Sequence, residues 1–265
     1  MNRDAILREM GIGPIWKSRA APAPAADSPV ATDVARGGLI ASPGVPAAER
    51  PVRTAPVPLP ALVIDDGQRE SRIAQMDWSD LKAAVGACTA CGLCKGRTNT
   101  VFGVGDESAG WMIVGEAPGA EEDAKGEPFV GQAGRLLDAM LSALDMRRGV
   151  DVYIANVLKC RPPGNRNPEA AEVARCAPHL LRQIALVRPA LIVLMGRFAA
   201  QTLLETDASI ASLRGRVHDY RGTPAIVTYH PAYLLRTLTD KAKSWEDLLF
   251  ARTTYRRLQS ATGAT

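Results

Sequence analysis

The chain has 265 residues, a formal net charge of +4 and 46% apolar residues. This length fits one sizeable core, or one domain with a long tail. The small basic excess is compatible with nucleic acid binding without indicating it, and no apolar run is long enough to suggest a membrane span.

The first seventeen residues, MNRDAILREMGIGPIWK, combine charges with closely spaced large apolar side chains. These apolar residues are Ile6, Leu7, Met10, Ile12 and Trp16. A frayed amphipathic helix would explain them. A docking peptide for a partner protein is the sharper hypothesis, because tryptophan is costly to leave exposed. Asp4 and Glu9 interrupt any signal-type apolar segment, so we expect a cytoplasmic protein.

Residues 18–75 are rich in alanine and proline, and ten of the nineteen prolines fall within the first sixty residues. A segment with few large apolar groups cannot bury enough surface to offset its chain entropy. We therefore expect 18–75 to be a disordered linker that precedes one folded domain over 76–260.

Five cysteines follow, at Cys88, Cys91, Cys94, Cys160 and Cys176. Without an export signal they are expected to be ligands or free thiols rather than disulfides. A C-x-x-C pair with two distant cysteines is typical of a four-thiolate metal site. Spacing does not separate zinc from an iron–sulfur cluster, because soft thiolates bind both. One cysteine is left over, and Cys94 could replace Cys91 as a ligand or pack nearby.

Four short apolar runs alternate with helical patterns after residue 76. The runs are WMIVG (111–115), VYIANVL (152–158), ALIVLMG (190–196) and PAIVTYH (224–230). Nearly continuous apolar strands that alternate with helices predict a parallel sheet covered on both faces. Ligands of such sheets bind beyond the carboxyl ends of the strands, so the loops after Val114, Ile154 and Tyr229 are the expected site.

Three motifs occur at these loops: GEAPGAEEDAKGEPFVGQAG (115–134), NVLKCRPPGNRNP (156–168) and HPAYLLR (230–236). Together with GRTNTVFGVGD after the cysteines, they resemble the iron–sulfur uracil-DNA glycosylases, or family 4. The resemblance covers residues from about 80 to 258. Because several independent motifs occur in the same order, it is far more specific than any one of them.

The resemblance implies a three-layer α/β/α sandwich on a four-stranded parallel sheet, in agreement with the strand pattern. It also implies a [4Fe–4S] cluster on Cys88, Cys91, Cys160 and Cys176, with no ligand role for Cys94. In this family the cluster is structural and pins loops near the DNA surface. A zinc site is the alternative.

The implied reaction hydrolyses the bond between C1′ and N1 of deoxyuridine, in single- or double-stranded DNA, and leaves an abasic site. The enzyme must extrude the base, recognise its edge and stabilise the charge that develops on it. His230 would donate a hydrogen bond to uracil O2, and Asn156 would pair with O4 and N3–H. The alternatives are a core histidine and a structural asparagine that closes a strand.

Phe129 would stack on the flipped ring, unless it is an ordinary core residue. The backbone of Gly115, Glu116 and Ala117 would surround the uracil, since glycine allows close approach. Alanine at 117 leaves the attacking water without an obvious carboxylate. The candidates for that role are Glu116, Glu122 and Asp123. An alternative role for Glu122 is to exclude the methyl group of thymine, and a solvated acidic turn would also explain this stretch.

HPAYLLR predicts a DNA wedge. Leu234 and Leu235 would enter the stack where the base has left, and Arg236 would hold a phosphate. Arg161 and Arg166 are further phosphate candidates. A non-catalytic cluster-containing module that binds single-stranded DNA or a polymerase is the alternative function; an electron carrier is disfavoured. We expect a monomer whose substrate is uracil-containing DNA and which does not bind membranes.

Overall fold

The computed structural model describes residues 67–262. Its sheet consists of the strands β1 Val104–Gly105, β2 Trp111–Gly115, β3 Val152–Asn156, β4 Leu191–Met195, β5 His218–Tyr220 and β6 Thr223–Thr228. Its helices are α1 Gly67–Gln75, α2 Trp78–Gly86, α3 Ala120–Lys125, α4 Gln132–Ser142, α5 Ala170–Val187, α6 Arg197–Leu203, α7 Ile210–Leu213, α8 Pro231–Leu234 and α9 Asp240–Thr262.

The sheet has the strand order β1-β3-β2-β4-β6-β5. The four central strands are parallel, as predicted, and each edge carries one short antiparallel strand that was not predicted. The four-stranded prediction is therefore corrected to a six-stranded mixed sheet. At one edge β5 and β6 form a hairpin whose two turn residues, Arg221 and Gly222, both have positive φ, as tight hairpin turns require.

Every residue of β2, β3 and β4 is buried, which is why these strands read as continuous apolar runs. Helices α5 and α6 pack on one face through side chains such as Leu180 and Leu203. Helices α4 and α9 cover the other face through Leu137 and Leu248. The predicted three-layer α/β/α sandwich is confirmed.

Helix α1 corrects the predicted linker boundary, because residues 67–75 were assigned to the disordered segment. Ile73 is 2% exposed and anchors the helix. Arg69 hydrogen-bonds His179 of α5 at 3.0 Å, and Arg182 of α5 donates to the carbonyl of Met76. The folded unit therefore includes α1. The predicted docking peptide (1–17) and the remainder of the linker lie outside the described residues.

The carboxyl ends of the parallel strands meet at one edge of the sheet. Gly115 at the end of β2 pairs in register with Asn156 at the end of β3. The β6 end is followed by His230, which caps helix α8. Among residues 67–262 no helix is both long and apolar enough to cross a bilayer.

Candidate active site

The predicted pocket residues converge around Gly115. The ring centroids of Phe129 and His230 lie 5.4 Å apart with planes inclined by 27°. A Cβ atom on Gly115 would come within 2.6 Å of Phe129 Cζ and closer still to Asn156 Oδ1. Glycine is therefore required here, because any side chain would collide with both neighbours. The structure brings together four residues that are far apart in sequence.

Asn156 presents an unsatisfied acceptor beside Gly115 and Phe129. The residue is 2% exposed, and its Oδ1 has no hydrogen-bond partner within residues 67–262. A buried polar atom without a partner costs roughly 1–3 kcal/mol, so its persistence calls for an explanation. A ligand that presents an N–H group to Oδ1 would supply the missing bond.

The tautomer of His230 follows from its local contacts. Its Nδ1 accepts a hydrogen bond from the backbone N–H of Ala232 at 3.1 Å, so in the neutral ring the proton is on Nε2. Gly196, at the end of the neighbouring strand β4, has φ +94°, and a Cβ there would lie 2.9 Å from His230 Cβ. The imidazole is therefore fixed as an Nε2–H donor.

Burial lowers the pKa of His230 to about 4; Arg236 contributes to the decrease and Glu122 opposes it. Preorganised neutral donors of this kind stabilise negative charge that develops on a reacting group. Because the ring stays neutral throughout the physiological range, it can serve as a hydrogen-bond donor without a change in protonation.

This lowered pKa predicts how stability changes with pH. Below the unfolded-state pKa of about 6.5, the unfolded chain binds a proton at this histidine while the folded chain does not until about pH 4. Stability should therefore fall as pH decreases through this window. Between pH 7 and pH 4, the free energy of unfolding of the wild type should decrease by up to about 3 kcal/mol more than that of His230→Gln. Urea unfolding at pH 7, 6, 5 and 4 measures this difference. Identical pH slopes would contradict the assignment.

Glu122 braces the pocket wall. Its carboxylate accepts hydrogen bonds from the backbone N–H groups of Gly119, Val130 and Gly131 at 3.0–3.1 Å. These contacts tie the first turn of α3 to the segment that follows Phe129. No contact among the described residues supports the predicted thymine-excluding role, whereas the three amide bonds support a bracing role. Asp123 is buried and accepts from the N–H groups of Thr98 and Asn99.

Glu116 and Ala117 follow Gly115 at the pocket rim and are half-buried. Burial raises the pKa of the Glu116 carboxyl, and the charge of Arg197 lowers it. A raised carboxyl pKa is typical of a general base that works near neutral pH. Of the three predicted water-activating carboxylates, only Glu116 is not engaged in backbone hydrogen bonds among the described residues.

The wedge prediction needs correction at Leu234. This residue is 1% exposed because α8 turns it into the interior, so as folded it does not reach solvent. Leu235 is 40% exposed and Leu238 64% exposed, and Arg236 is exposed beside them. The protruding apolar group therefore consists of Leu235 and Leu238 rather than Leu234 and Leu235.

The two arginines of CRPPGNRNP differ in their contacts. Arg161 lies in the loop after β3 and its Nε donates to Asn165 Oδ1 at 2.7 Å, while its Nη groups have no hydrogen-bond partner within residues 67–262. Arg166 forms a two-point ion pair with Glu172, at 2.6 and 3.0 Å. This pair makes Arg166 a poor phosphate candidate, because both of its Nη groups already bond Glu172.

All five cysteines line one cavity beside α2 and α5, together with Arg97, Lys159 and His179. Hydrogen-bond donors point at several of these sulfur atoms: Cys88 accepts from Arg69, Cys160 from Arg97 and Cys176 from the backbone N–H of Lys159. Burial raises the pKa of Cys176 to about 12, so its thiol stays protonated unless a metal displaces the proton.

The donor set fits a thiolate-bound metal centre. N–H groups that donate hydrogen bonds to sulfur stabilise thiolate ligands and help to set the reduction potential of iron–sulfur clusters. Within the described residues, however, no three side chains converge closely enough to be assigned to one ion. The sulfur cavity adjoins the loop that follows β2 (the pocket loop), because Ala117 of this loop packs against the apolar group formed by Leu93, Leu158 and Cys160.

Lys159 was missed by sequence reasoning. It is 1% exposed, and its Nζ donates to the carbonyl of Asn156 at 2.8 Å and to Gln183 Oε1 at 2.6 Å. Burial lowers its pKa to about 8, while Cys176 and Cys160 oppose this shift. The residue therefore links the strand end that carries Asn156 to the sulfur cavity. Its only sequence signal was its position directly after the mainly apolar run VYIANVL (152–158).

Comparison with known proteins identifies relatives of this arrangement. A model of the uracil DNA glycosylase superfamily matches residues 102–249. The type-4 uracil-DNA glycosylase of Archaeoglobus fulgidus is 47% identical over 164 residues, covering 59% of this chain and 82% of that protein. The type-4 enzyme of Pyrobaculum aerophilum is 44% identical over 181 residues, covering 65% and 92%. That of Thermotoga maritima is 44% identical over 158 residues, covering 59% and 82%.

Proposed function

The chain belongs to the uracil DNA glycosylase superfamily, in its type-4 branch, and from this membership we propose that it hydrolyses the N-glycosidic bond of deoxyuridine in DNA. The products are free uracil and an abasic site, so the reaction serves DNA repair. The observation that carries the proposal is the unpartnered Oδ1 of buried Asn156 beside Phe129 and His230.

Recognition would depend on the carboxamide of Asn156. Its Oδ1 accepts a hydrogen bond from uracil N3–H, and its Nδ2 donates to O4. Cytosine carries an acceptor at N3 and a donor at C4, so the same carboxamide orientation leaves both bonds unmade. Phe129 stacks on the ring and Gly115 lets the base approach the strand end.

The chemical step breaks the bond between C1′ and N1, and the bonding electron pair leaves with uracil. The resulting negative charge spreads from N1 to O2 and O4, where the His230 Nε2–H and the Asn156 amide donate hydrogen bonds. A water oxygen forms the new bond to C1′ and its proton is taken up by a base. Glu116 suits this base, since its carboxyl is half-buried with a raised pKa.

We infer that Cys88, Cys91, Cys160 and Cys176 hold a [4Fe–4S] cluster, with zinc as the alternative occupant. The cluster would cross-link three segments of the chain and would not take part in the reaction of the base. Arg69, Arg97 and the Lys159 amide stabilise the thiolates by donating to sulfur. Through Ala117 this region supports the pocket loop.

Single Cys→Ser variants test the ligand set. We expect Cys176→Ser to lose iron and the broad absorbance near 400 nm, because it removes one of the four proposed ligands. Cys94→Ser is the matched control and should keep both, although its sulfur lines the same cavity. Iron analysis and the visible spectrum provide the readout. A colourless wild type that holds stoichiometric zinc would replace the iron assignment with zinc.

The exposed Leu235 supports a wedge that fills the gap left by an extruded base. Leu235→Ala should lower single-turnover rates on U:A duplexes by roughly tenfold or more while changing single-stranded rates less than threefold, because unstacking costs a few kcal/mol only in the duplex. Val150→Ala, which truncates an exposed apolar residue elsewhere, is the control. An equal loss on both substrates would contradict the wedge assignment.

Release of free uracil tests the function directly. Oligonucleotides with U:G, U:A, single-stranded U and T:G are incubated with the iron-replete protein, and free base is separated from DNA. Uracil release from the first three substrates without thymine release is the expected result. DNA binding without base release would instead indicate the non-catalytic module.

A further inference from the structure

Phe129 has an unusual backbone conformation for its residue type. Its φ is +54°, in the left-handed region that favours glycine, while its side chain is 4% exposed. Polar residues such as Arg221 adopt this conformation in turns, but for a bulky buried side chain it is an outlier that the surroundings must hold in place. The orientation of the Phe129 ring therefore depends on the groups that hold its backbone.

Arg148 is one of these groups. Its Nη1 donates to the carbonyl of Pro128 at 2.7 Å and its Nη2 to the carbonyl of Phe129 at 2.6 Å. Its Nε donates to Asp138 Oδ1 of α4 at 2.9 Å, which fixes the plane of the guanidinium. The Arg148 side chain is 20% exposed, so these bonds are partly shielded from water. A lysine could not make the same forked contact.

The opposite side of Phe129 is held by Glu122, which accepts from the N–H groups of Val130 and Gly131. A Cβ on Gly134 in α4 would overlap the Phe129 carbonyl, so the helix passes directly against this peptide. The backbone around Phe129 is therefore held by three groups. Arg148 bonds the carbonyls of Pro128 and Phe129, Glu122 bonds the N–H groups of the two residues that follow Phe129, and α4 packs against the Phe129 carbonyl.

We propose that Arg148, oriented by Asp138, is a positioning residue that holds the Phe129 ring in place for stacking on the bound pyrimidine. This inference rests on the proposed function and adds a determinant of uracil affinity outside the pocket. The Arg148 guanidinium bonds the backbone of Pro128 and Phe129 and acts on the base only through the Phe129 ring.

Inhibition by free uracil measures the stacking contact separately from the chemical step. Using a single-stranded deoxyuridine oligonucleotide, we expect Arg148→Ala to raise the uracil inhibition constant and KM by roughly 5- to 150-fold, the range that one base–aromatic stack contributes, and to change kcat less. Arg148→Lys should give an intermediate value. Arg147→Ala, which truncates the exposed neighbouring arginine, should stay within twofold of the wild type.

A double-mutant cycle with Phe129→Ala separates positioning from a purely structural role. If Arg148 acts through the ring, Arg148→Ala should have no further effect on the inhibition constant once Phe129 is alanine. Additive effects, or a lowered Tm with an unchanged inhibition constant, would overturn the proposal. If Arg148→Ala does not fold, Arg148→Lys and Asp138→Asn undergo the same cycle. A wild type that releases no uracil would refute the proposed function instead.

Discussion

Replacing His230 with alanine should lower kcat for uracil release by about 100- to 1,000-fold, the range measured when one preorganised donor to a developing oxyanion is lost. The physical reason is the fixed Nε2–H tautomer, which makes the imidazole a neutral donor without any protonation step. Because this bond strengthens as the base acquires charge, the loss should appear in kcat more than in KM. Single-turnover release of uracil from a single-stranded oligonucleotide measures it.

His218→Ala is the matched control for this variant. His218 lies on the edge strand β5, with Nε2 within 2.6 Å of the Leu213 carbonyl, away from the pocket residues. His218→Ala should leave kcat within about threefold of the wild-type value, because a substitution near the surface and away from the site has little effect on the chemical step. If His230→Ala retained more than a tenth of the wild-type kcat, charge stabilisation by His230 would be refuted.

Asn156→Ala should lower kcat/KM for uracil release by about 10²- to 10⁴-fold, because two hydrogen bonds to the base are lost and one of them faces a charged group in the transition state. Thermal stability should change little or increase. The reason is that Asn156 Oδ1 is buried without a partner within residues 67–262, so the substitution removes an unsatisfied acceptor. The substitution should therefore lower kcat/KM without lowering Tm. Thermal denaturation and the kinetic assay, performed on the same variant, measure these two effects.

Asn167→Ala is the control, since it truncates an exposed asparagine eleven positions further along the chain. It should leave kcat/KM within about threefold, as expected for a solvated side chain. A large fall in Tm for Asn156→Ala would mean that the carboxamide has a structural role, and the kinetic loss could then not be attributed to base recognition.

The central fold was predictable because its signal is local. Runs such as LIVLM are short, rich in large aliphatic residues and buried on both faces, which is typical of interior parallel strands. The two edge strands, β1 and β5, have only two and three residues, too few for any periodicity to appear. Helix α1 was missed because its sequence, GQRESRIAQ, is largely polar and carries few apolar residues. The helix is held in place by contacts with α5, such as the hydrogen bond between Arg69 and His179.

The site residues that could be predicted from the sequence are those that lie at the end of a strand or directly after it. His230 and Asn156 end or follow apolar runs, and the topology of a parallel sheet then brings them together. Leu234 and Leu235 are adjacent, and the sequence carried no sign of which one α8 turns inward. The roles of Glu122, Lys159 and Arg148 depend on backbone groups 8, 3 and 19–20 residues away, which only the folded chain shows.

Helix α1 has a practical consequence for anyone who prepares a minimal form of this protein. Boundaries chosen from the superfamily match, residues 102–249, would omit α1 and three of the cysteines. Even a generous start at residue 76 would remove Arg69 and its contacts to Cys88 and His179. Such a trimmed protein would keep every group that faces the base, yet Cys88 and His179, which both line the sulfur cavity, would lose a hydrogen-bond partner.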